Sequence, residues 1–163
     1  MRISAVVDIN TVSIFFGNAD DSPFRLAFEK VRNAKEKFYI VYGGETYFQE
    51  LRGKGIPRNK QSPVMTVLTN LRNMGKAVQL DESKVNRKEK SIIAKAKSKD
   101  LDDAHIIAIA VLGNCQLIFS KDKRAHDFFK DRNLYPKGFR IPLIYSKYTR
   151  KEHTNVRKRI RTS

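Results

Sequence analysis

Asp8, Glu50, Asp103 and Asp122 are carried in the segments VVDIN, YFQEL, LDDAH and FSKD, each where a strand is expected to end or a helix to begin. In an open parallel sheet, ligands bind outside the carboxyl ends of the strands, so acids far apart in sequence can meet in one crevice. Four carboxylates with no thiolate and no histidine at metal-ligand spacing make an all-oxygen donor set. Such a set suits the hard cations Mg2+ or Mn2+ rather than zinc. Unneutralised, the acids would repel one another. A cation pair held by carboxylates can activate water, orient a phosphodiester and neutralise charge on the leaving oxygen, so the chemistry implied is phosphodiester hydrolysis. Each acid by itself is weaker evidence. Asp103 read singly is a helix cap or dipole partner.

The elements that would carry these acids are legible from hydrophobic pattern. Ile3 to Val7 is a continuous apolar run ending at Asp8, the pattern of a strand covered on both faces. Phe38 to Tyr42, Ala77 to Leu80 and Cys115 to Phe119 predict further strands, and FRIPLIYS predicts an edge strand, because Pro142 cannot sit inside a central one. Helices are predicted over Thr11 to Phe16, from Ser22-Pro23, over Glu45 to Arg52 and from Ser62-Pro63 to Met74. Others follow from Ser83, over Asp102 to Leu112 and over Lys121 to Lys130, with a chain break at Gly53 to Pro57. Strands alternating with helices predict an α/β fold. Glu45 and Glu50 stand five residues apart on one predicted helix, and at about 100° per residue they point to different sides. Only one can face the crevice, and Glu50, directly before Leu51, is the choice. Asp102 reads as a cap and Asp127 as a supporting group.

The chain has 163 residues and a formal net charge of +16, which points to a polyanionic partner rather than to any particular fold. At this length one domain with a proper core is expected. Two segments hold most of the excess charge: Lys84 to Lys99, and a tail running from Lys147 to Arg161. The first reads equally as a solvated helix face. The tail, residues 146–163, reads as a flexible basic arm that grips phosphate, through Arg150, Lys151, Arg157, Lys158, Arg159 and Arg161. Lys121, Lys123 and Arg124, beside Asp122, are further candidates for nucleic-acid contact. The tail shows no apolar face of the kind a membrane-surface helix needs, and no run reaches the roughly 18 apolar residues of a membrane span. With no secretory leader evident in MRISAVVDIN, a cytoplasmic setting is expected. Cys115, the single cysteine, reads as a small core residue. His105, His126 and His153 lack ligand spacing and read as core or exposed side chains.

Taken together, VVDIN, YGGETYFQEL, LDDAHIIAIA and LIFSKD with HDFF after it resemble the PIN-domain nucleases, in order and over residues 1–145. Most specific is the pairing of DAHIIAIA with LIFSKD about ten residues later. The resemblance implies a three-layer α/β/α sandwich around a mainly parallel sheet, with metal-dependent endonucleolytic cleavage of RNA. It implies that Asp8, Glu50, Asp103 and Asp122 hold metal, that Asn10 supports Asp8, and that Ser120 is the small hydroxyl residue before the last acid. Many relatives of this size are toxins of toxin/antitoxin pairs and others process RNA. An antitoxin or another acidic protein is therefore an alternative partner, single-stranded DNA an alternative substrate, and a homodimer an alternative to a monomer.

Haloacid-dehalogenase-like phosphatases also place an acid after the first strand, but they need Asp-x-Asp-x-Thr, and Asn10 stands where the second acid should be. Receiver domains need an acidic pair before the first strand ends and an Asp after the third, where this chain offers only Asp81. The rival from another class is a non-catalytic RNA- or DNA-binding protein that keeps the fold and the charge. Retention of four acids near phosphate weighs against it, since a pure binder would gain by losing them.

Overall fold

The computed structural model describes residues 1–17, 19–53, 58–96 and 102–162. The expected chain break at Gly53 to Pro57 and the end of the first basic segment, Lys97 to Lys99, lie largely outside them.

Five short strands form one parallel sheet: β1 (Ile3–Val7), β2 (Phe38–Tyr42), β3 (Ala77–Gln79), β4 (Leu117–Phe119) and β5 (Leu143–Tyr145), in the order β3-β2-β1-β4-β5. The register runs Ala5 to Ile40 on one side of β1 and Ala5 to Leu117 on the other. Every residue of β1 is buried, so both faces of the sheet are covered by helices. Eight α-helices occur among the described residues. The architecture is α/β and consistent with a three-layer α/β/α sandwich. Successive strands spread from β1 towards β3, and the chain then returns to place β4 on the other side of β1. The carboxyl ends of β1 and β4 therefore flank a reversal of strand order, where a crevice opens in folds of this kind.

The helices on the way are α1 (Ile9–Phe16), α2 (Arg25–Arg32), α3 (Glu45–Arg52) and α4 (Arg58–Asn73). They are followed by α5 (Glu82–Lys95), α6 (Ala104–Leu112), α7 (Lys123–Lys130) and α8 (Arg150–Arg161). Apart from His105, helix α6 is apolar all round, with every residue from Ala104 to Ala110 buried, as a helix sandwiched between α5 and the sheet must be. An aromatic cluster ties the opposite helical layer to the strands, with Phe15 against Phe119 and Phe24 at 5.3 and 5.8 Å between ring centres. Cys115 is buried in the turn before β4. No helix among the described residues is long and apolar enough to cross a membrane.

Four expectations need correction. Ser22-Pro23 does not open α2, which begins at Arg25; Ser22 instead accepts the Phe24 N–H through its hydroxyl and shapes the approach. Pro63 lies inside α4 rather than at its first position, so that helix starts about a turn earlier and forgoes one backbone bond. Helices α6 and α7 begin at Ala104 and Lys123, two residues later than expected, leaving Asp103 and Asp122 at their N-caps.

The tail is the fourth. Residues 150–161 form α8, fastened to the body, rather than a flexible arm. A capping box of Thr149 and Glu152 starts it, the Thr149 N–H donating to the Glu152 carboxylate at 2.8 Å. Buried Tyr148 packs its ring against Phe38 and Phe119 and donates its N–H to the Pro23 carbonyl at 2.8 Å. Val156 is buried, and Ile160 one turn on packs against the core. The tail does carry an apolar stripe, narrow and four residues apart, and it faces the protein.

A candidate metal-binding crevice

The Asp8 backbone N–H donates to the Phe119 carbonyl at 2.9 Å, so β1 delivers Asp8 directly beside the end of β4. Its side chain is 1 % exposed and accepts from the Ser120 hydroxyl at 2.8 Å. Asp8 is at the N-cap position of α1 without a side-chain cap bond, and Asp103 stands the same way before α6. Neither carboxylate makes the side-chain cap bond that ordinarily accounts for an acid at such a position. Asp122 differs: it caps α7, accepting from the Arg124 N–H at 3.1 Å.

Glu50 arrives on α3, whose entry requires glycine. Gly44 has φ +89°, and a β-carbon there would come within 2.5 Å of the Val85 side chain. Only glycine lets α3 turn off β2 this close to α5. Tyr47 on the same helix is fully buried, and its hydroxyl donates at 2.9 Å to the carbonyl of Val7, the residue before Asp8. That bond ties α3 to the end of β1. Glu50 then lines the crevice, whereas Glu45 faces away from it and accepts from Gln49.

All four predicted acids line one open crevice of about 1260 Å³, and Asp102, Asp127 and Asp131 share its walls. Among the described residues that line it only Arg52 and Arg124 are basic, so carboxylates outnumber cations there in a strongly basic protein. The crowding shows in the proton affinities. Burial, then repulsion from Asp8, Glu50 and Asp122, pushes the Asp103 carboxyl up to about 6, with His105 opposing. Asp8 is also raised, chiefly by burial and by Glu50, against the Ser120 hydrogen bond and His105.

Sequence reasoning passed over His105. It is the one polar side chain in an otherwise apolar helix, 1 % exposed, and neither ring nitrogen makes a hydrogen bond. Its Nε2 stands 3.2 Å from the Glu50 carboxylate, close enough for an ion pair though off hydrogen-bond geometry. Burial lowers its proton affinity, but Glu50 first, then Glu89 and Asp103, outweigh that and leave it raised. The signal in the sequence was a lone histidine amid AHIIAIAVL. Thr11 was also missed: fully buried, it accepts the Lys121 N–H at 3.0 Å and so braces the loop after β4. His126 does similar work at 2.9 Å from the Ser120 carbonyl.

Asn10 is exposed on the crevice wall and makes no hydrogen bond to Asp8; Ser120 provides that support instead. Asp102 lies on the wall one residue ahead of the N-cap, and Asp127 is exposed on the wall. Of the basic candidates, Arg124 reaches the crevice, while Lys121 and Lys123 are exposed near its rim. Arg150 and Lys151 are exposed on the first turn of α8, and Arg157, Lys158 and Arg161 on its later turns. Arg159 bonds the Ile141 carbonyl at 2.5 Å, ahead of β5 and so at the end of the sheet away from Asp8 and Asp122.

The donor chemistry fits a hard divalent cation: oxygen ligands only, mutually repelling, two of them not engaged as helix caps. Among the described residues no three such side chains are gathered about one point. Protein-family models, curated proteins and solved structures were each compared with the chain. None matches.

Proposed function

We propose that this protein is a PIN-type, divalent-metal-dependent endoribonuclease whose Asp8, Glu50, Asp103 and Asp122 hold Mg2+ or Mn2+. The observation that carries the reading is the meeting of four acids from four separate elements in one crevice, with Asp103 raised to about 6 by burial and then by its acidic neighbours. A structural acid at a helix start would be expected to cap it, and neither Asp8 nor Asp103 makes a side-chain cap bond. A divalent cation bound here would supply an activated water and neutralise charge on the phosphodiester. The chain's own residues do the rest. Ser120 fixes the orientation of Asp8, Tyr47 holds α3 against β1, and Arg124 offers a guanidinium on the wall to a substrate phosphate. His105 sets Glu50 from beneath.

The test is cleavage of a mixed-sequence single-stranded RNA by the purified protein with Mn2+, Mg2+ or EDTA, beside Asp103→Asn. Products that need the metal and vanish in the variant are expected. Binding without cleavage under every condition would instead favour the non-catalytic binder.

A further inference from the structure

Among the described residues the crevice lining is net acidic, so it repels an RNA strand until a cation is bound, and affinity has to be supplied elsewhere on the molecule. Away from it Arg132, Arg140 and Arg159 line a shallow groove of about 670 Å³ together with Phe139, with Arg140 and Arg159 towards the other end of the sheet. Ile141, beside them, precedes β5, whereas Asp8 and Asp122 directly follow β1 and β4; in a parallel sheet these are opposite ends.

The three guanidiniums are held by backbone rather than by acids. Arg132 donates to the carbonyls of Pro136, at 2.6 Å, and Phe139. Arg140 donates to the Arg159 carbonyl at 3.0 Å, and Arg159 to the Ile141 carbonyl at 2.5 Å. None of them pairs with a carboxylate among the described residues. A guanidinium has five N–H donors, and bonding one or two carbonyls orients the planar group while leaving others to point outward. If these arginines only stapled the loop, each would do so as well from a separate place; gathered in one groove they repel. Arg159 feels it: burial and then Arg140 lower its proton affinity. Phe139 is half-buried and held parallel to Tyr135, with ring centres 5.8 Å apart, which fixes an aromatic surface on the groove wall.

We propose that Arg132, Arg140, Arg159 and Phe139 form an exosite for the phosphodiester backbone of single-stranded RNA, in a groove separate from the acidic crevice. Pre-oriented guanidiniums match phosphate oxygens in pairs, and an aromatic side chain beside a basic track is the usual platform for an unpaired base. The choice of RNA as ligand rests on the nuclease reading; the site itself rests on the groove.

The experiment measures binding of a short fluorescein-labelled single-stranded RNA by anisotropy in EDTA, across a salt series, so that cleavage plays no part. Arg140→Gln/Arg159→Gln should lose about tenfold in affinity and shed roughly 1.4 from the slope of log K against log salt, at about 0.7 per phosphate contact. Arg140→Gln alone, at an exposed side chain, should lose about half that slope and guards against a folding defect in the pair. Lys35→Gln/Lys37→Gln removes the same charge from the exposed α2–β2 loop and should lose far less. Equal losses from the two double variants would reduce the exosite to general charge and overturn the proposal. So would an unchanged slope in Arg140→Gln. Displacement of the RNA by poly-glutamate of matched charge at lower concentration than by unlabelled RNA would also overturn it, in favour of an acidic protein ligand.

Discussion

The two ends of this sheet are built on opposite electrostatic plans. At the carboxyl end, acids from the α1 N-cap, α3, the α6 N-cap and the α7 N-cap face one another across a crevice with few cations among its described lining residues. At the amino end, arginines from the loop before β5 and from α8 crowd without acids, each tied to main-chain carbonyls. Net charge alone would put the positive surface around the substrate site. The difference teaches that bulk charge tells what class of partner to expect, and topology decides where that charge acts.

The harshest way to break the contrast is to remove one acid. Asp8→Asn keeps an oxygen for the Ser120 hydroxyl yet withdraws a charge from the crevice, and metal-dependent cleavage should fall a hundredfold or more, several kcal/mol of barrier. Cleavage within threefold of the parent in Mn2+ would remove Asp8 from the site.

A second route supplies the missing positive charge. Mn2+ or Mg2+ at about one hundred times its dissociation constant should stabilise the fold by about 2.7 kcal/mol, raising the melting temperature by roughly 5 to 10 °C. Asp8→Asn should show a fraction of that rise. No shift at millimolar Mn2+ in the parent would mean that the crowded acids do not answer to a cation.

His105 sharpens the comparison from below. Its unbonded ring is costly inside an apolar layer, and the carboxylate it stands against is that of Glu50. His105→Phe should therefore leave stability unchanged or raised while cleavage drops tenfold to a hundredfold, the usual cost of losing a group that orients a ligand. The loss should fall on kcat, with KM for RNA little altered. Full activity in this variant would make His105 a packing residue only.

Much of this was legible in the chain. Strand β2 and helix α3 stand where continuous apolar runs and a Gly-Gly turn put them, and β1 ends at Asp8 as its pattern requires. Helical phase set Glu45 and Glu50 on different sides of one helix without choosing between them, and it is Glu50 that lines the crevice. What was not legible is what depends on distant partners. The contact of His105 with Glu50 joins residues 55 apart, and nothing local in AHIIAIAVL names an acid on another helix. Asn10 was taken as the support for Asp8, a place Ser120 fills from the far side of the sequence. The tail misled because its mean character is basic, while its anchoring rests on Tyr148, Val156 and Ile160. Three apolar residues in a charged stretch are enough when a capping box starts the helix beside them.

The gentlest test reads the acid crowding through pH. In the folded protein the Asp103 carboxyl is raised from 3.8 to about 6, so the native state binds its proton more tightly than the unfolded chain does. The sign follows: below about pH 4 both states are protonated and nothing is lost, and stability then falls as pH rises towards 6 and stays lower above it. Asp103→Asn cannot ionise. In EDTA it should match the parent near pH 4 and exceed it at pH 7 by about 1 to 2 kcal/mol, a range already reduced for the partial exposure of the carboxylate. Urea melts of both proteins at the two pH values give the comparison directly. In Mn2+ the order should reverse, since the parent then gains a ligand that the variant lacks. A variant no more stable than the parent at pH 7 in EDTA would show that the acids of the crevice do not strain one another, and the electrostatic contrast between the two ends would lose its acidic half.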